Sequence, residues 1–290
     1  MKVLVSRRRA LFFLGATAGA AAVAAGCASA SDDTTAAATE AASATTAQSG
    51  GATAAPQETA GPYPGDGSNG PNVLVESGVV RSDITDSFGP YSGVAQGVPM
   101  TLELRLRDLA KSGAAGAGMA VYVWHCDRDG NYSLYSSGVT EQNYLRGVQV
   151  ADADGKVTFT SIFPACYSGR WPHIHFEVYD SLETAVAGQN ARLTSQIALP
   201  QATCEAVFAH DSGYARSVAN LAQVTLDSDN VFGDGWDAEL ATVTGAPSSG
   251  LRVSLTVGVA EKSQNTQSGN GSSQPGGQPP GGAPGGRPPR

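Results

Sequence analysis

Met100-Thr101-Leu102-Glu103-Leu104-Arg105-Leu106-Arg107 alternates apolar and polar side chains without a break. A period of two is the signature of a strand with one face on a core and the other toward water. The same alternation returns in Lys156–Phe163, after the turn-forming Asp152-Ala153-Asp154-Gly155, and again in Leu251–Val259. Ala120-Val121-Tyr122-Val123-Trp124 is β-prone throughout and suits a central strand. Turn residues punctuate these runs, no internal repeat or long helical period appears, and 201–210 and 217–223 read as short peripheral helices. The expected architecture is all-β: an antiparallel β-sandwich with peripheral loops and short helices.

The two ends of the 290-residue chain have a different character. Arg7-Arg8-Arg9 stands before an Ala/Gly-rich apolar run that closes on Ala24-Ala25-Gly26-Cys27. This pattern predicts an export signal over 1–27, of the twin-arginine type, with lipidation at Cys27 and anchoring at the outer face of the cell membrane. Residues 28–55 are almost wholly Ala, Thr, Ser and Gly, and 263–290 are rich in Gly, Pro, Gln and Ser. Neither stretch buries enough apolar surface to offset its ordering entropy, so they read as a flexible linker and a disordered tail. Residues 56–262 remain for one domain, which at roughly 200 residues is long enough for a substantial core.

Charge narrows the partners. Removing the four bases of the leader (Lys2, Arg7, Arg8, Arg9) from 18 Lys+Arg leaves 14 against 26 Asp+Glu, a formal −12. So acidic a surface argues against nucleic acid and leaves the lipid anchor as the expected membrane contact. Beyond Cys27 the cysteines are Cys126, Cys166 and Cys204. In an oxidising space one disulfide is expected, and Cys166–Cys204 is favoured because Cys126 lies in a strand-like run where a buried thiol is ordinary.

Chemistry concentrates in Phe163-Pro164-Ala165-Cys166-Tyr167-Ser168-Gly169-Arg170-Trp171-Pro172-His173-Ile174-His175-Phe176. Residues two apart on a strand share a face, so His173 and His175 present two imidazoles together, a common way to chelate a metal. Two of the four histidines stand here, while His125 and His210 read as structural or surface residues. No HExxH motif is present, and Ile174 occupies the place where a facial-triad iron(II) site carries its acid. Tyr167 lies six residues before His173, and Tyr132 follows the turn Asp127-Arg128-Asp129-Gly130-Asn131.

Taken in order, Glu58-Thr59-Ala60-Gly61-Pro62-Tyr63, Val123-Trp124, Gly130-Asn131-Tyr132, Leu145-Arg146-Gly147-Val148-Gln149, Asp152-Ala153-Asp154-Gly155, Pro164-Ala165-Cys166-Tyr167, Arg170 and His173-Ile174-His175 resemble the motif series of the intradiol ring-cleavage dioxygenases. The resemblance is densest over 119–179 and fades after about residue 200. Ala165 stands where that family usually has glycine. The helical dimerisation region of the catechol enzymes has no counterpart, which brings the chain nearer to the smaller exported members; a homodimer is left open. The resemblance implies a non-haem Fe(III) held by Tyr132, Tyr167, His173 and His175, with Tyr167 departing as the substrate binds. It implies that the metal activates an aromatic diol toward O2, giving a muconate-type diacid, with Arg170 stabilising negative charge on the ring. Tyr63 and Gln196 are candidate pocket residues. Which diol is cleaved is not legible.

Three other readings stand beside it. A transthyretin-like sandwich could keep the fold as a binding module without chemistry, and zinc could occupy the histidine pair as in a hydrolase. Asp227-Ser228-Asp229-Asn230 with Gly233-Asp234-Gly235 has the composition of a calcium loop, although plain turns share it.

Overall fold

A computed structural model describes residues 52–264. The leader with Cys27, most of the linker and nearly all of the tail lie outside the described residues. Among the described residues nine strands follow one another: β1 (Pro99–Asp108), β2 (Ala114–Ala115), β3 (Ala120–Trp124), β4 (Arg146–Val150), β5 (Lys156–Ile162), β6 (His173–Tyr179), β7 (Leu193–Ala198), β8 (Thr242–Ala246) and β9 (Gly250–Val259). Three short α-helices, α1 (Leu182–Val186), α2 (Gln201–His210) and α3 (Ala215–Leu221), sit in the connections. Two sheets result, as the alternation demands. One runs β2-β1-β9-β8 with β5 also on β1, and the other β4-β3-β6-β7.

In the first sheet Met100, Leu102, Leu104 and Leu106 turn inward from β1 and meet Phe159 of β5 and Val253 of β9 in one core. Val121, Val123, Ile174, Phe176 and Ile197 belong to the same core from the second sheet. Every pairing is antiparallel but one: β1 and β9 run parallel, from Met100 opposite Leu251 to Asp108 opposite Val259. A parallel neighbour needs a long crossover, and the whole second sheet with its helices supplies it.

The helix expected at 201–210 is α2. The one expected at 217–223 begins two residues earlier, because the 3-10 turn Ser212–Tyr214 leads directly into α3. Strand β7 has no legible signature: all six of its residues are buried, so Leu193-Thr194-Ser195-Gln196-Ile197-Ala198 shows no apolar/polar alternation. The Cys166–Cys204 disulfide is not formed. Cys126, Cys166 and Cys204 are free, buried thiols, and the Cys166 and Cys204 Sγ atoms donate to the Arg170 and Leu199 carbonyls at 3.4 and 3.8 Å.

One more layer matters for the site. Ala54 is bridged to Gly258, and from there the chain crosses the outer face of the four-stranded sheet. Glu58 N donates to Thr194 O (2.8 Å) and Val73 N to Gly65 O (2.7 Å) along the way. This roof converts an outward sheet face into an interior.

Candidate metal centre

Arg146, Trp124, His175 and Gln196 lie opposite one another across β4, β3, β6 and β7. Cross-strand partners share a face, so these four side chains form one row beneath the roof. His173 is two residues before His175 on the same face. The opposite face of β6 carries Ile174, Phe176 and Val178 into the core. Trp124 stacks on His175 with ring centroids 5.0 Å apart and planes 3° from parallel. Gly61, at φ +69°, lets the roof pass against that ring, since a Cβ there would stand 3.3 Å from His175 Cε1.

Two loops complete the site. Tyr132 follows a turn organised by Asp127, whose Oδ1 accepts from Asp129 N and Asn131 N, both at 2.9 Å. Its Oδ2 accepts from Tyr144 Oη at 3.0 Å. Tyr167 follows Cys166, and α3 grips that residue at both ends. Cys166 N donates to Ser217 Oγ (3.0 Å), and Asn220 Nδ2 donates to Cys166 O (2.8 Å). Ala165 is not among the residues with positive φ, so the turn does not require the family's glycine.

The four side chains converge. Tyr167 Oη lies 3.3 Å from His173 Nε2, His173 Nε2 lies 3.1 Å from His175 Nε2, and His175 Nε2 lies 3.2 Å from Tyr132 Oη. Four donors each roughly 2 Å from a first-row cation stand about 3.3 Å from one another in a tetrahedral arrangement. The spacing therefore fits a metal. Tautomers agree: His173 Nδ1 faces the Trp171 carbonyl at 2.5 Å. A carbonyl only accepts, so Nδ1 carries the proton and the Nε2 lone pair points at the centre. His175 Nδ1 is buried and without a partner.

Burial sets the protonation of this cluster. It pushes the Tyr132 phenol well above its ordinary value of 10. It raises Tyr167 to about 12, against the pull of the nearby Arg170 charge. Both imidazoles are held well below 6.5, again chiefly by burial. Without a cation the site holds neutral phenols and neutral rings; phenolates require a bound positive charge. Among the described residues no group of three or more His, Cys, Asp or Glu side chains is arranged to hold a metal ion. The groups that complete the histidine pair are thus the two phenols, hard anionic donors once ionised, which suit iron(III) better than zinc.

The remaining sequence candidates fall around this centre. Arg170 is buried beside it, with Nη2 donating to Gln196 Oε1 at 2.7 Å. Gln196 Nε2 donates to Thr59 O at 2.9 Å, so both ends of that amide are engaged by protein. Tyr63 is half-buried in the roof, its ring 5.2 Å from Tyr132 and 5.0 Å from Tyr135. His125 is buried between Cys126 O (2.8 Å) and Ser161 Oγ (2.7 Å), held neutral by burial, and serves the framework.

Two residues were not legible as parts of the site. Arg146 places its Nε, Nη1 and Nη2 on Ser133, Pro64, Tyr122 and Tyr63, tying the Tyr132 loop to the roof. Asp229 has the composition of a calcium ligand or a turn residue. Its Oδ2 instead takes Arg170 Nε (2.9 Å) and Trp171 N (2.7 Å), and its Oδ1 takes Val231 N (2.9 Å) and Phe232 N (3.2 Å). No local pattern reports a partner 59 residues away.

Comparison with known proteins follows the same lines. Residues 83–200 match the family model Dioxygenase_C, described as Dioxygenase. A chlorocatechol 1,2-dioxygenase of Rhodococcus opacus is 43% identical over 56 residues, covering 19% of this chain and 22% of that enzyme. Catechol 1,2-dioxygenase 2 of Acinetobacter lwoffii is 37% identical over 68 residues, covering 23% and 24%. The chain thus aligns with about a quarter of the length of these curated relatives. Among solved structures, an intradiol ring-cleavage dioxygenase from Tetranychus urticae superposes with a TM-score of 0.55 at 23% identity, covering 72% of this chain and 95% of that one. Residues 83–200 of this chain thus resemble the dioxygenase family model, and the domain that contains them has the fold of an intradiol ring-cleavage dioxygenase.

Proposed function

We propose that the protein is a non-haem iron(III) intradiol dioxygenase, which inserts O2 between the two hydroxylated carbons of a catechol-type diol to give a muconate-type diacid. The convergence of Tyr132, Tyr167, His173 and His175 carries this reading. When bound, iron(III) supplies a Lewis acid and one-electron acceptor through which a chelated diol becomes reactive toward O2. The chain supplies the rest. His173 and His175 are fixed on one strand and remain as nitrogen donors. Tyr167 sits on a loop whose backbone is pinned at Cys166; as a phenolate it would be the ligand that yields to the diol, and its oxygen would take a proton from a diol hydroxyl. Arg170, buried next to the phenols, stabilises negative charge on the ring. Trp124 and Phe232, both buried, pack their rings against His175 and His173.

Iron analysis of the purified protein, with O2 uptake on a panel of catechol, protocatechuate, hydroxyquinol and larger phenolic diols, tests the reading. About one ferric ion per chain and a visible tyrosinate-to-iron band are expected. Zinc in its place with no band after iron loading, or a colourless protein that binds diols without consuming O2, would overturn it. Tyr167→Phe is expected to retain iron, shift the band and turn over slowly. We further propose that the domain is exported by way of Arg7-Arg8-Arg9 and anchored by a lipid on Cys27; mass spectrometry of the mature N-terminus tests this by the presence of a diacylglyceryl group.

A further inference from the structure

The segment 225–235 lies beyond the matched residues 83–200, yet it supplies the counter-charge of Arg170. We infer that Asp229 is a positioning residue for ring cleavage, locking the Arg170 guanidinium in one plane beside the two phenols. The inference rests on the functional reading above.

The geometry is closed on both sides of the pair. Asp229 is fully enclosed and Arg170 nearly so, at 0% and 4% side-chain exposure. Each carboxylate oxygen receives two N–H groups, from Arg170 Nε and Trp171 N on one and Val231 N and Phe232 N on the other. The acid is therefore saturated and has no rotational freedom. Arg170 is held at a second nitrogen by Gln196, itself tied to the roof through Thr59 O. Anchors on Nε and Nη2 remove rotation about the last side-chain torsions. They leave Nη1 without a protein hydrogen bond among the described residues.

A wholly buried ion pair adds little net stability and often costs some. Its retention at this place is better explained by what a fixed guanidinium does for charge developing nearby, because a misplacement of about 1 Å can cost on the order of 100-fold in rate. The rival explanation is specific: through Trp171 N, Asp229 also steadies the entry to β6 and hence His173. That role would show in metal binding.

The test uses the iron-loaded full chain and the variants Asp229→Asn, Arg170→Gln and the double variant. Asp229→Asn is expected to keep wild-type iron content and visible band, to lower kcat about 10- to 100-fold, and to change KM less than about threefold. In the Arg170→Gln background the same change should add less than about twofold, since the arginine it positions is gone. Loss of iron with Asp229→Asn, or effects that multiply independently in the double variant, would overturn the inference. If Asp229→Asn does not fold, Asp229→Glu, which keeps the charge but displaces it by one methylene, carries the same comparison. A wild type that holds iron yet opens no diol overturns the functional reading and this inference together. An active wild type with independent variants overturns the role of Asp229 alone.

Discussion

The two sheets are built from similar residues and are treated in opposite ways. In the five-stranded sheet β1 alternates buried Met100, Leu102, Leu104 and Leu106 with partly exposed Thr101, Glu103, Arg105 and Arg107. In the four-stranded sheet all seven residues of β6 are buried. The difference is the roof: residues 54–74 and the loops carrying Tyr132 and Tyr167 cover the second sheet's outer face, whereas the first sheet's stays wet. A sheet face gains reactive geometry when its polar side chains are taken out of water. Each then needs a partner of its own. Arg146 illustrates the requirement, with bonds to Ser133, Pro64, Tyr122 and Tyr63. Arg105, on the wet face, makes a loose 3.9 Å contact with Glu103.

The comparison can be broken most severely at the histidines. Losing a partner of a metal-bound histidine costs about 10–100-fold in metal affinity, and losing the ligand should cost no less. His173→Ala or His175→Ala is therefore expected to abolish iron retention at stoichiometric loading, read by elemental analysis, and turnover with it. Next is Arg170→Ala, which should keep iron and colour while raising the barrier by about 2–4 kcal/mol, read from kcat/KM. If it lost iron as the histidine variants do, its place would be in the framework. Gly65→Ala probes the roof alone: at φ +69° an added Cβ would lie 2.8 Å from Arg146 Nη1. A destabilisation of about 1–3 kcal/mol is expected in urea titration. Arg105→Ala closes the series on the wet face, where the ion pair is half-exposed. A change within about 0.5 kcal/mol in the same titration is expected there; a cost equal to that of Gly65→Ala would erase the distinction between the two faces.

Alternation made β1, β5 and β9 legible, because a half-solvated strand writes its two environments into every second residue. The same logic hid β7, whose faces are both covered. It also made His173 and His175 legible as a pair, since two residues on one strand share a face regardless of the rest of the fold. Tyr132 and Tyr167 were readable through the resemblance of their surrounding motifs, and their convergence on the histidines depends on loops held by Asp127, Ser217 and Asn220. The expected Cys166–Cys204 bridge failed for a related reason. Proximity in composition carries no information on which backbone carbonyl each thiol faces.

By itself the sequence determined what is local or periodic: the β class, the strand-borne histidine pair, the turn preceding Tyr132, and the acidic balance of the chain. Those properties follow from side-chain period and backbone sterics within a few residues. The tertiary structure alone decided that β1 and β9 run parallel, that residues 54–74 roof the site, that Arg146 binds that roof, and that Asp229 rather than a surface acid holds Arg170. These are contacts between segments tens of residues apart. They form because buried polar groups must find partners wherever the packed chain brings them, and no local pattern encodes which partner that is.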